Sequence, residues 1–163
     1  MILARTIVYA TLFISSLLVF LPGRILARSG VTPPASFGAV GWAGAALTCV
    51  GGALAVWCIG TFVVLGKGTP APFDPPRRLV IRGPYRFVRN PMYVGAFLAL
   101  AGVAVVYRSL AVFGYATGLL LALHAFVVTY EEPTLRRSFG QAYERYCRET
   151  ARWWPFSRPR LPG

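Results

Sequence analysis

The chain has 163 residues, enough for one domain, and 56 % of them are hydrophobic while only 13 % are charged, where a soluble domain carries about 25 % charge. Its net charge is +12, but the basic residues lie between and after long uncharged stretches, the pattern of a membrane protein whose cations set topology rather than of a nucleic-acid binder. The single histidine and the scattered cysteines exclude a multi-histidine or zinc-type metal site.

The expected fold is all-α and integral to the membrane, one domain over 1–163 with about four transmembrane helices and a C-terminal interfacial amphipathic helix. A span needs roughly 20 apolar residues. The first covers about 6–27, around the uncharged run Thr6–Gly23. Arg5 before an apolar run resembles a signal peptide, but the run is long and Ile25-Leu26-Ala27 is a poor cleavage site, so this span is expected to be retained. The second covers 37–65 and is long enough that it must tilt, kink or protrude. Gly38, Gly41, Gly44, Ala45, Thr48, Gly51, Gly52 and Gly60 suit close helix packing there. Cys49 and Cys58 fall on opposite faces of that helix, and Cys147 lies in the reducing tail, so three free thiols are expected.

Residues 66–90 form the long cytosolic loop. Pro70, Pro72, Pro75 and Pro76 bar a regular helix. Leu79-Val80-Ile81 reads as an extended run, Gly83-Pro84 as a turn, and Asn90-Pro91 as a helix start in which Asn accepts from free backbone N–H groups. Spans three (about 91–107) and four (about 109–130) are separated by Arg108 alone, which makes them an antiparallel hairpin and brings residues near 90 beside residues near 131. In the tail, 131–163, Leu135, Phe139, Ala142, Tyr143 and Tyr146 recur at helical spacing, so that this helix lies on the inner membrane surface, with Trp153-Trp154-Pro155-Phe156 as an interfacial anchor. Four spans place 14 basic residues on one side and 3 on the other. Both termini are therefore expected in the cytosol, with the protein multi-pass in the inner or plasma membrane.

Gly60 to Gly68 imitates a phosphate loop, but the spacing is wrong and Gly68 stands where Ser or Thr is needed. A more unusual feature is the acidic pair Glu131-Glu132 at the membrane edge, two of only five acidic residues. The hairpin sets it opposite the start of span three, where Arg82, Arg86, Arg89 and a helix amino terminus favour an anion, with Tyr85 and Tyr93 nearby. A zwitterionic, ribose-bearing ligand suits that combination. The plainer reading, a surface pairing of the glutamates with Arg136 or Arg137 and Asn90 as a mere cap, weighs equally on physics alone. Arg89 is the candidate for orienting an anionic acceptor or cofactor carboxylate. His124, seven residues before Glu131 on the same helical face, is the candidate for lining an acceptor pocket or for a polar packing contact.

Arg82-Gly83-Pro84-Tyr85-Arg86-Phe87-Val88-Arg89-Asn90-Pro91-Met92-Tyr93-Val94-Gly95, with Glu131-Glu132-Pro133-Thr134-Leu135 and then Phe139-Gly140, Tyr143 and Tyr146, resembles the isoprenylcysteine carboxyl methyltransferase and phospholipid methyltransferase superfamily from about Pro75 to Pro155. The resemblance implies a membrane enzyme using S-adenosylmethionine, with cofactor contacts at Leu79, Val80, Tyr85, Asn90, Pro91, Tyr93, Glu131 and Glu132. Gly60-Thr61-Phe62 is a weaker match to a further cofactor stretch. It also implies a membrane lipid or lipidated small-molecule acceptor drawn from the bilayer: a prenylcysteine-like carboxylate or a phospholipid amine. Arg89 and Glu132 are the expected catalytic residues, Glu132 as the proton acceptor for an amine, and Arg89 and His124 the expected acceptor contacts. Prenylcysteine enzymes typically carry His where this chain has Asn90, and Asn cannot titrate near neutral pH. The alternative is a non-catalytic membrane scaffold or lipid-binding protein that keeps the family shape.

Overall fold

In the computed structural model, residues 12, 14–32, 34, 36, 38–61, 64 and 79–155 are described. Helices dominate them, with no strand among the described residues. A π turn, Ser16–Phe20, leads into α1, Leu21–Arg28. Then come α2, Ala39–Thr61; α3, Pro91–Val106; and α4, Leu110–Phe126. A second π turn, Val127–Glu131, carries α4 without a break into α5, Glu132–Phe139, and α6, Gln141–Glu149, follows.

Two of these helices are long and apolar enough to cross a membrane, Ala39–Thr61 with 23 residues and the continuous Leu110–Phe139 with 30. In the most apolar stretch of each only 17 % is buried inside the molecule, so their apolar surface faces outward. Trp42, Val50, Val56 and Trp57 on α2 and Leu110 and Leu121 on α4 are exposed, more than a water-facing surface ordinarily tolerates. Among the described residues these two match expected spans. α3 has 16 apolar residues, about 24 Å of helix, short of a hydrocarbon core of about 30 Å. The first expected span begins outside the described residues, and its described part is a π turn followed by a short helix holding Arg24 and Arg28. Most of the loop 66–90 also lies outside the described residues, up to residue 78.

Packing centres on a backbone-close seam between α2 and α3. A Cβ added at Gly44 would lie 2.9 Å from Gly102 O, and one at Gly95 would lie 2.8 Å from Gly51 O. Thr48 Oγ1 donates within its helix to Gly44 O at 3.0 Å and across to Ala99 O at 3.4 Å. Small residues at four- and three-residue intervals on both helices let the backbones meet, the means by which apolar helices associate without a hydrophobic drive. The glycine reading is correct for Gly44 and Gly51 but not for Gly38, Gly52 and Gly60, where a Cβ would meet nothing within 4 Å. Cys49 is exposed and Cys58 buried, as their spacing demands.

α3 and α4 form the expected hairpin. Arg108 takes a positive φ of 49° at the reversal, and Ser109 Oγ accepts from Val112 N at 3.3 Å to cap α4. The helix does not stop at residue 130: it runs on to Phe139, and the break comes at Gly140, with φ 50° and ψ −126°, a conformation only glycine adopts easily. The amphipathic segment is therefore two helices, α5 prolonging the fourth span and α6 folding back. Tyr143 and Tyr146 of the expected stripe are buried, while Ala142 is exposed.

Gly51→Ala is expected to destabilise the protein by about 1–3 kcal/mol through overpacking at the seam, whereas Gly52→Ala is expected to be neutral or slightly stabilising. Thermal unfolding of both variants in detergent measures this, and equal stability would contradict the seam.

Candidate functional site

The candidate region is built where three stretches distant in sequence meet: residues 85–93, the turn from α4 into α5, and the tail after α6. Thr150 takes extended backbone and ends α6, so that residues 151–152 run alongside 88–90. Arg89 N donates to Ala151 O at 2.8 Å and Asn90 N to Arg152 O at 3.3 Å. Asn90 Nδ2 donates to the same Arg152 carbonyl at 3.2 Å. Asn90 thus makes no side-chain cap on α3, contrary to expectation: its amide holds the tail instead, and the first-turn N–H groups of α3 have no side-chain cap.

Glu132, with a side chain 4 % exposed, is the hub. Arg152 Nε donates to Oε1 at 2.6 Å and Nη2 to Oε2 at 3.0 Å, a two-pronged grip. Arg89 Nη1 stands 3.2 Å from Oε1 and Arg136 Nη2 3.4 Å from Oε2. Arg136 Nε also reaches Glu144 Oε1 at 2.9 Å, tying α5 to α6 across the Gly140 break. A carboxylate offers about four acceptor positions; Arg152 fills two and Arg136 one with hydrogen bonds, and Arg89 adds an ion-pair contact. The hydrogen bonds that Arg152 donates to Glu132 raise the Arg152 pKa above its ordinary value.

Glu131 has different surroundings. Its Oε2 accepts from Tyr93 OH at 3.1 Å, and it makes no salt bridge among the described residues. Tyr93 in turn faces the Trp153 ring, centroids 6.4 Å apart, and Trp153 Nε1 donates to His124 Nδ1 at 3.1 Å. His124 is exposed and meets the site through this indole.

Arg89 also donates from Nη1 to Cys147 Sγ at 2.7 Å, while its Nε is buried without a hydrogen-bond partner among the described residues. Tyr146 OH donates to Tyr85 O at 2.6 Å. Val80 and Tyr85 pack with Cys58, Leu54 and Met92 in an apolar cluster beneath the site, and Gly83 lies against Thr61 at the end of α2. Burial pushes the Tyr85, Tyr143 and Tyr146 phenols far above their usual range, so they remain neutral donors. Leu79 is half-buried and Pro91 is fully buried at the start of α3.

The structure thus gathers Arg89, Asn90, Tyr93, Glu131 and Glu132 at one junction and puts Val80 and Tyr85 in the floor below it. Sequence reasoning missed Arg152 as a partner of Glu132 and gave Trp153 only a membrane-anchoring role. One signal was available: a nearly buried carboxylate needs a counter-charge, and the tail carries several arginines. Trp154, the neighbour in that aromatic pair, is exposed, while Phe156 lies outside the described residues.

Compared with models of known families, residues 39–142 match that of the phospholipid methyltransferases. No curated protein and no solved structure matches the chain.

The two glutamates are expected to differ in stability. Glu132→Gln should destabilise by about 3–5 kcal/mol, because it leaves the largely buried Arg89 guanidinium without its anion. Glu131→Gln should change stability by less than about 1 kcal/mol, since an amide oxygen still accepts from Tyr93. Thermal unfolding in detergent checks both; comparable loss in the two variants would contradict the assignment.

Proposed function

The chain belongs to the phospholipid methyltransferase family, and from that premise we propose that it is an S-adenosylmethionine-dependent methyltransferase acting on an amphiphile taken from the bilayer. The observation that carries the cofactor reading is a pair of unmet electrostatic demands at one junction. Arg89 Nε is a buried donor with no partner among the described residues, beside the uncapped start of α3. Glu131, one turn-contact away through Tyr93, has no cationic partner among the described residues. A zwitterionic ligand answers both, its carboxylate at Arg89 and the helix start and its ammonium or hydroxyl groups at Glu131. The residues present therefore fit the methyl donor that the family uses.

When bound, that donor supplies a methyl group already activated on a sulfonium. What the protein must add is position and dryness. Val80, Tyr85 and Met92 supply an apolar floor that excludes water. Glu132 holds Arg89 and Arg152 in place. With protein donors at both of its oxygens, Glu132 has little room to bind the cofactor or take a proton itself, so its proposed role shifts from direct contact to orientation. Glu131 is the carboxylate left to serve a ligand. Asn90 does not titrate and is committed to the tail carbonyl, which supports an acceptor chemistry without a base at that position: a carboxylate acceptor, or an amine deprotonated by water or Glu131.

The acceptor reaches the junction from the membrane side, between helices whose outward surfaces are apolar. In this reading the chain is multi-pass, with both termini and the site in the cytosol.

Incubating the detergent-solubilised protein with labelled methyl donor and a lipid extract is expected to label a lipid. Binding without turnover on any lipid would favour a scaffold. Glu131→Gln is expected to weaken S-adenosylmethionine binding by roughly 10- to 100-fold, the worth of a charged hydrogen bond of about 1.5–3 kcal/mol. Unchanged affinity by calorimetric titration would remove Glu131 from the cofactor site.

A further inference from the structure

Trp153 lies eleven positions beyond the family match, which ends at residue 142, and yet it stands in the middle of the junction. Its ring faces Tyr93 at 6.4 Å between centroids with the planes 43° apart, so the two rings open like a wedge. On its other side it stands 5.8 Å from His124, and the hydrogen bond from its Nε1 to His124 Nδ1 fixes the indole against rotation. The far end of Tyr93 is fixed as well, since its hydroxyl donates to Glu131. Glu131, Tyr93 and Trp153 are each half-buried, so none is sealed from a ligand.

The electrostatics of this wedge are one-sided. Ring faces carry negative potential and attract a cation within about 6 Å of the centroid. The carboxylate at the wedge's edge is also negative, and the described arginines of the junction converge on its neighbour Glu132. Two aromatic rings and a carboxylate with no salt bridge among the described residues make a poor site for an anion or a neutral group. They suit a cation too soft and methylated to demand strong hydrogen bonds.

We propose that Trp153, Tyr93 and Glu131 form a box for a methyl-bearing onium cation, with His124 as the positioning residue that holds the indole. The proposal rests on the methyltransferase reading for what occupies the box. Two reactants of such an enzyme carry that chemistry: the sulfonium of the methyl donor and a methylated ammonium on the acceptor headgroup. The box accounts for the tail's return to the site, which the hydrogen bonds of residues 151 and 152 to residues 89 and 90 enforce.

Calorimetric titration of the full-length protein with S-adenosylmethionine and with S-adenosylhomocysteine, which lacks the sulfonium charge, separates the cation from the rest of the nucleoside. A fluorescence titration with tetramethylammonium probes the cation alone. Trp153→Leu is expected to weaken S-adenosylmethionine about tenfold and leave S-adenosylhomocysteine unchanged, if the donor's sulfonium occupies the box. If the acceptor's ammonium occupies it, Trp153→Leu weakens tetramethylammonium and leaves both nucleosides unchanged. Trp153→Phe, which keeps a ring but loses the bond to His124, is expected to retain most of the preference. His124→Ala should fall between Trp153→Phe and Trp153→Leu.

Equal weakening of both nucleosides in Trp153→Leu would overturn the box, because the indole would then serve the fold or the nucleoside rather than a charge. No change with any of the three probes would overturn it too. Failure of wild-type protein to bind either nucleoside would instead strike the methyltransferase reading, while tetramethylammonium still reports on the box.

Discussion

One buried carboxylate organises this junction. Glu132 is nearly inaccessible and is met by guanidinium groups from three places: Arg89 before α3, Arg136 one turn along its own helix, and Arg152 in the returning tail. A lone carboxylate in such a setting would be costly by several kcal/mol, and so would the inner arginines without it. The cost is offset only when all of them are together, which makes the contact a condition on the fold rather than an added bond. The loop before α3 and the tail after α6 cannot be placed independently. Each needs the other to complete the shell around one anion.

That condition depends on where the chain reverses. Helix α4 does not end at the acidic pair; a π turn at Val127–Glu131 carries it on, and π turns inside helices recur at functional sites. The extra residue in that turn alters which side chains face α3. Two helical turns later Gly140 supplies the conformation that lets α6 fold back, and the Arg136–Glu144 pair spans the break. The α2–α3 seam contributes rigidity from the other side. Gly44, Gly51, Gly95 and Gly102 bring two backbones into contact and leave α3 little freedom to tilt away from the residues it presents.

The parts of this arrangement that were legible in the sequence are those controlled by local signals. The uncharged interval broken by Arg108 gives the hairpin, and the hairpin alone puts residue 90 near residue 131; Tyr93 does contact Glu131. Proline and glycine mark the turn at Gly83–Arg86. The parts that were not legible depend on contacts about 60 residues apart, such as Asn90 with Arg152. Local chemistry makes Asn before Pro a helix cap, and only the tail's return turns it into a latch. Trp153-Trp154 reads as an interfacial anchor for the same reason, because nothing near it in sequence announces His124 or Tyr93. Hydrophobicity also overstated the spans, since a run of apolar residues does not reveal where a helix starts and stops.

The sharpest consequence concerns two residues that sequence treats as one motif. Neighbours on a helix point about 100° apart, so Glu131 and Glu132 cannot share surroundings. Glu132 turns toward the tail and is saturated by cations. Glu131 turns toward α3 and meets a phenol and, beyond it, an indole. The first is therefore a structural anion whose charge is already answered within the protein. The second has no salt bridge among the described residues and lies beside aromatic rings. A site for a zwitterion needs both signs available at once, and a chain this rich in arginine would ordinarily quench every carboxylate within reach. Committing the arginines of the junction to Glu132 prevents that. The saturated glutamate leaves its neighbour without a salt bridge among the described residues, and the two members of the pair are unlike.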